Sequence, residues 1–314
     1  MKPIGIVWQL MLAALLSGCF QTQTVVPLTA AENIRRTTDG RIFVSGRPAV
    51  YEIILDAQGE YQKVAVTQPD GCSYYGGLAE LQDWLFFVCN NSKSLSVKDF
   101  KFANAGRLMA YSLRDAQVVT VAQLTGFQLA NGLDALPDEN AILIADEDFL
   151  AHGGVSKFSL NFDAGIPAVT GFQPRWIGKE QAVYAANGVR VLNGDVYLTD
   201  IGFVKKVTLD AEGNPQRAQI LYRSATVLDD LAPWCDGVLV ADYLMGKLIY
   251  VPADGQPVQK SRGGLFSPSA VLPDATPLFD ESLLLVTETF GVSPSKGNQL
   301  VAVKWTDLGI GACQ

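Results

Sequence analysis

Residues 185–200 read Ala-Ala-Asn-Gly-Val-Arg-Val-Leu-Asn-Gly-Asp-Val-Tyr-Leu-Thr-Asp. Two apolar runs flank Asn193-Gly194, the strongest short-range signal for a hairpin. A polar residue, Asn187, stands at the start of the first run. The same paragraph recurs along the chain. Asn131-Gly132-Leu133 leads to Ile142-Leu143-Ile144-Ala145-Asp146, and Asp229-Asp230-Leu231 leads to Val238-Leu239-Val240-Ala241-Asp242. Glu32-Asn33-Ile34 leads to Ile42-Phe43-Val44-Ser45-Gly46. Two weaker copies begin at Gly77-Leu78 and at Ser269-Ala270-Val271. About six copies at roughly 40–56 residues apart fall in the range of propeller blades.

Further strands fit between the copies. In the first they cover residues 49–55 and 61–67, in the second 107–113 and 117–124. Others cover 154–160, 203–209, 218–222, 247–251 and 299–305, punctuated by turn signals such as Asp254-Gly255. No helical stripe of useful length follows the N-terminal segment. Four strands per repeat predict an all-β fold, a six-bladed β-propeller with four-stranded blades. A sandwich is the alternative, but it leaves the repeat period without a cause. Residues 25–28 are expected to add a strand to the last blade and close the ring.

The first residues read as an address. Lys2 precedes an apolar run, residues 4–16, of about 13 residues, against about 20 needed to span a bilayer. Leu16-Ser17-Gly18-Cys19 then resembles the lipobox of bacterial lipoproteins, which implies removal of residues 1–18 and a lipid on Cys19. Residues 19–28 form the lipidated cysteine and tether, and residues 29–314 the propeller. Phe20 follows the cysteine rather than the Asp of an inner-membrane retention signal, so the expected place is the outer membrane of a bacterial envelope, facing the periplasm. An ordinary secretory signal with a chance cysteine is the alternative. A net charge of -8 argues against a nucleic-acid partner. A monomer is expected.

An oxidising compartment permits disulfides. Cys72 and Cys89 flank one predicted hairpin and are expected to pair; Cys235 and Cys313 are the leftover pair, and four cysteines allow three connectivities.

In a propeller the first strand of each blade lines the channel, so side chains at equivalent positions converge. The equivalent positions are Glu32, about Gly77, Asn131, Asn187, Asp229 and Ser269. Converging buried oxygens need a partner, and a hard cation such as Ca2+ suits carboxylates and amide carbonyls. Asp230 is adjacent. The alternative is that these Asn and Asp residues only form turns before Gly.

The order Glu32, Asn131, Asn187, Asp229, one per blade and with Asn-Gly at the middle two, resembles the regucalcin–gluconolactonase family and the related paraoxonase-like propellers. The resemblance spans nearly all of the mature chain in architecture, through short motifs. It implies a Ca2+ or related divalent ion held by these four residues at the channel bottom, and opening of lactones or cleavage of related esters. It implies Asp229 as the base that takes a proton from water, with Asp230 as the second candidate. Val227-Leu228-Asp229-Asp230-Leu231 is similar to the fifth-blade segment of paraoxonases. Where that branch carries a His-Gly-Ile-type segment, this chain has Tyr74-Tyr75-Gly76-Gly77-Leu78, and its one histidine is His152. The histidine dyad is therefore not carried over; the histidine-free scheme is.

Tyr74 and Tyr75 are candidates to line the channel mouth, with ordinary strand packing as the alternative for both, and Tyr75 and Ser269 are the candidates for substrate contact. The chain has no Gly-x-Ser-x-Gly elbow, no His-Glu-x-x-His and no phosphate-binding glycine loop before a helix. Two functions fit: a membrane-tethered metal-dependent lactonase or esterase, or a non-catalytic propeller that binds a ligand or protein and keeps the ion as a structural plug. A channel open above the metal favours the first.

Overall fold

The structure is a computed structural model that describes residues 22–67, 71–91, 106–148, 152–289 and 297–310. These residues form six four-stranded antiparallel sheets. Five sheets each take four consecutive strands; the sixth combines Pro268–Leu272, Leu283–Glu288 and Gln299–Lys304 with the N-terminal strand Gln23–Pro27. Gln23 pairs with Ala302 and Pro27 with Gln299, so the first strand closes the ring as the sequence predicts. The inner strands are Ile34–Arg36, Tyr74–Leu81, Ala130–Leu136, Ala186–Leu192, Leu228–Trp234 and Pro268–Leu272, and each lies against the next around the axis. The all-β six-bladed propeller is thus the observed fold.

The strand sequences follow from their place in the blade. Second strands such as Trp84–Asn90 and Ala141–Asp146 are buried along their whole length, because a blade packs against both neighbours. They read as continuous apolar runs for that reason. The core lies between blades: Phe86 and Val88 of the second blade pack with Ile142 and Ile144 of the third. Outer strands are exposed and carry a weaker signal. Ala168–Ile177 escaped the sequence reading because its residues are largely exposed and mixed in polarity.

The acid that ends several second strands has a structural job. Asp146 Oδ1 accepts the backbone N–H of Gln128 and Leu129, both at 2.9 Å. Asp200 Oδ1 accepts Ala185 N–H at 2.7 Å, Asp242 accepts the Thr226 hydroxyl at 2.8 Å, and Glu288 accepts Phe266 N–H at 2.8 Å. Each carboxylate ties down the loop entering its own inner strand; Asp146, Asp200 and Glu288 do so by satisfying backbone donors that leave the ladder there, Asp242 by accepting a hydroxyl.

Cys72 and Cys89 form a disulfide with their Cα atoms 5.3 Å apart. Cys235 is also disulfide-bonded, whereas Cys313, like Cys19 and the whole targeting segment, lies outside the described residues. Among the described residues no helix is long and apolar enough to cross a membrane.

Candidate metal centre

A β-bulge brings the site together. In the second to fifth blades the pairing between the first two strands slips at Gly76-Gly77, Asn131-Gly132, Asn187-Gly188 and Asp229-Asp230, leaving two residues opposite one. Glu32-Asn33 occupies the same position in the first blade, where Glu32 N–H and Asn33 C=O both bond to Ser45. A bulge re-aims side chains that alternation would send elsewhere. Here its first residue faces the cavity and its second faces the axis below.

The Asn-Gly pairs of the bulges are not turns. A Cβ on Gly132 would lie 2.5 Å from the Asn187 carbonyl oxygen, and one on Gly188 would lie 2.6 Å from Asp230 Oδ1. Glycine is required because neighbouring inner strands approach at the axis. Asn193-Gly194 is the genuine turn, with φ of 53° and 82°, as a type I′ hairpin demands.

Glu32, Asn131, Asn187 and Asp229 all line one cavity of about 530 Å³ at the entry end of the inner strands. None is more than 7 % exposed. Ser269 Oγ donates to Asp229 Oδ2 at 2.9 Å, and Asn131 Nδ2 donates to Asn187 Oδ1 at 3.2 Å. Glu32 is hydrogen-bonded by Tyr74, Ser269 and Asn131. Ser269 is fully buried behind Asp229 rather than on the cavity wall, so its contact is with that carboxylate.

Glu147, which the sequence reading passed over, is a third carboxylate of the cavity. It is hydrogen-bonded by Asn187 and Asn131. Burial pushes both Glu32 and Glu147 up to about 7, and burial with the neighbouring charges of Glu32 and Glu147 raises Asp229 well above the usual range. Burial likewise raises Tyr74 well above 10, with the adjacent Glu32 adding to it.

Two candidates fall elsewhere. Asp230 does not line the cavity: its carboxylate bonds to Arg190 and to Asn33 Nδ2 beneath the site. Arg190 also donates to Leu133 O at 2.9 Å and Val189 O at 2.7 Å, so this floor links several blades. A carboxylate held by a buried guanidinium is not placed to act as the base. Tyr75 is fully buried against Phe87, ring centroids 6.0 Å apart, within the core that includes Phe43. Strand alternation gives the cavity to Tyr74 and the core to Tyr75. His152 is exposed and is not among the cavity-lining residues.

The cavity is lined by a second repeating position. Arg47, Glu147, Tyr243 and Thr289 line it, and each directly follows the last residue of the second-strand copy in its blade: Gly46, Asp146, Asp242 and Glu288.

The donor set fits a hard divalent cation. Among the described residues no three His, Cys, Asp or Glu side chains make a metal group by themselves, so the amides of Asn131 and Asn187 must complete one. Asp200, Asp134 and Asp230 are each paired with a basic side chain. Glu32, Glu147 and Asp229 form no such pair among the described residues, although burying an uncompensated charge is costly. Two carboxylates with two amide oxygens are ligands that Ca2+ accepts.

No protein-family model and no curated protein sequence matches the chain. Solved structures do match in fold. The calcium-binding protein regucalcin from Agrobacterium tumefaciens is 14% identical, with 90% of this chain and 93% of that one covered at a TM-score of 0.60. The chain has the fold of regucalcin. A protein assigned as a gluconolactonase matches at TM-score 0.62 and 10% identity over 91% of this chain and 92% of the other. The luciferin-regenerating enzyme matches at TM-score 0.62 and 10% identity over 94% and 97%. The propeller predicted from the repeats is therefore the regucalcin and gluconolactonase architecture over nearly its full length.

Proposed function

We propose that the protein is a divalent-metal-dependent hydrolase that opens lactones or cleaves related esters in its channel. The observation that carries this reading is the cavity itself. Three unpaired buried carboxylates and two amides lie at its base, and space for a ligand of moderate size lies above them. A structural plug would need the ligands but not the space. Glu32, Asn131, Asn187 and Asp229 would hold the ion, with Glu147 beside them. When bound, a divalent cation supplies Lewis-acid polarisation of an acyl carbonyl.

The remaining chemistry belongs to the chain. Asp229 takes the proton of the attacking water, and Ser269 holds the carboxylate in place from behind. Tyr74 fixes Glu32 through its hydroxyl. Water adds to the acyl carbon, the acyl C–O bond breaks, and the released alkoxide takes up a proton. The names of the structural neighbours, a calcium-binding protein and a gluconolactonase, agree with this assignment.

We propose further that Cys19 is lipidated and tethers the propeller to a bacterial membrane, the outer one where two are present. A panel of lactones and esters assayed on metal-loaded and chelated protein tests the activity. Turnover of at least one class that chelator abolishes is expected; inertness across the panel with metal bound would exclude it. Cys19→Ala should move the protein from the detergent-soluble membrane fraction to the soluble one, and recovery of mutant and wild type in the same fraction would refute the tether.

A further inference from the structure

Most of the cavity's lining surface is apolar. Among the described residues its single basic lining residue is Arg47 of the first blade. The Arg47 guanidinium makes no ion pair or hydrogen bond among the described residues, and its Nε is buried without an acceptor. It rests 5.8 Å from the centroid of the Tyr74 ring. An unsatisfied buried donor is costly, and a planar guanidinium on a cavity wall is matched to a carboxylate.

The opposite side of the mouth is apolar. Leu244 and Val227 line the cavity. Leu244 is 59% exposed, Met245 51% and Ile201 42%. Leu244 and Met245 follow Asp242 of the fifth blade. Ile201 follows Asp200 of the fourth, which stands across the ring from the first.

We propose that the cavity takes acyl compounds with an apolar chain, and that Arg47 is the specificity-determining residue that receives the carboxylate released on hydrolysis while the chain lies over Val227, Leu244, Met245 and Ile201. The proposal rests on the hydrolase reading of the same cavity. The step balances with water as co-reactant: the water oxygen stays on the acyl carbon, one of its protons reaches the alcohol oxygen, and the acid gives its proton to solvent and leaves a carboxylate. That anion is the group for which Arg47 has free donors. A polyhydroxylated lactone would find little on the Val227–Met245 side beyond Tyr243 to replace its hydration.

The test uses binding, which does not require turnover. Octanoate, butanoate, octanol and gluconate are titrated calorimetrically into the Ca2+-loaded protein. Octanoate should bind, and more tightly than butanoate by roughly threefold or more per added methylene. Arg47→Gln should weaken octanoate by roughly 10- to 100-fold and leave octanol unchanged, while Arg47→Lys recovers part of the loss. Leu244→Ser with Met245→Ser should flatten the chain-length dependence. No octanoate binding, binding indifferent to Arg47→Gln, or gluconate as tight as octanoate would overturn the proposal. An inert lactone and ester panel beside the expected octanoate pattern would instead remove the hydrolase reading and leave the ligand class standing.

Discussion

Asp229→Asn is expected to lower hydrolysis by about 10²–10⁴, the range for loss of a general base, while leaving the cavity formed. Asparagine keeps an oxygen at the position that Ser269 Oγ contacts, 2.9 Å away in the wild type. The variant loses the acceptor for the water proton and one unit of negative charge. The decisive readout is the division between rate and affinity. The rate constant should collapse, and the midpoint of Ca2+ binding should shift far less. Asp230→Asn provides the contrast. Its carboxylate faces Arg190 and Asn33 below the cavity, so the substitution should lower stability through an uncompensated buried guanidinium. A loss of turnover in Asp230→Asn without loss of stability would move the base to that residue.

The second large effect is on stability, and it changes direction with metal. In metal-free protein Glu32 and Glu147 are pushed up to about 7 by burial, and burial with the neighbouring Glu32 and Glu147 raises Asp229 well above the usual carboxylate range. The folded state then keeps protons that the unfolded chain releases above about pH 4.5. The stability this confers is fully present below that pH and is lost as pH rises through about 7. Chelated protein should therefore melt lower at pH 8 than at pH 5, by roughly 5–10 °C for a few kcal/mol at this chain length. Saturating Ca2+ should cancel or reverse the slope. An ion that binds only the folded state at about 1,000 times its dissociation constant adds about 4 kcal/mol. Glu32→Gln should flatten the metal-free profile and remove most of the Ca2+ effect. Melting curves between pH 5 and pH 8, with chelator and with Ca2+, measure both. A chelated protein equally stable at both pH values would contradict the convergence of these three carboxylates.

The blade count and the channel quartet were legible because one geometric requirement repeats. Each inner strand bulges at the same point, so the cavity-facing residue recurs at one phase of the repeat. The Asn-Gly pairs carried two meanings that sequence alone could not separate. At Asn193 the glycine serves a left-handed turn; at Asn131 and Asn187 it clears room for the neighbouring strand. The second residue of the bulge was the harder one to read. Asp230 looks like an additional ligand in the chain, but the bulge turns it, with Asn33, to the axis, where Arg190 meets it. Tyr74 and Tyr75 are both candidates for the channel mouth in the sequence, and the choice of Tyr75 for substrate contact fails because a glycine-rich segment does not fix the strand's inward phase. Glu147 escaped notice because Asp146 before it ends the recurring apolar run and drew the attention. The two do different work: Asp146 latches the Gln128–Leu129 backbone, and Glu147 enters the cavity. The position after each such run, Arg47, Glu147, Tyr243 and Thr289, is a second readable phase of the same repeat.

The central claim is that Glu32, Asn131, Asn187 and Asp229 meet at one divalent ion. Calorimetric titration of Ca2+ into chelator-treated protein tests it most directly, with Glu32→Gln and Asn187→Ala run alongside. Binding of about one ion per chain is expected, weakened at least tenfold in either variant, with a rise in melting temperature that follows occupancy. No heat of binding, together with a melting temperature indifferent to chelator and to added Ca2+, would contradict it.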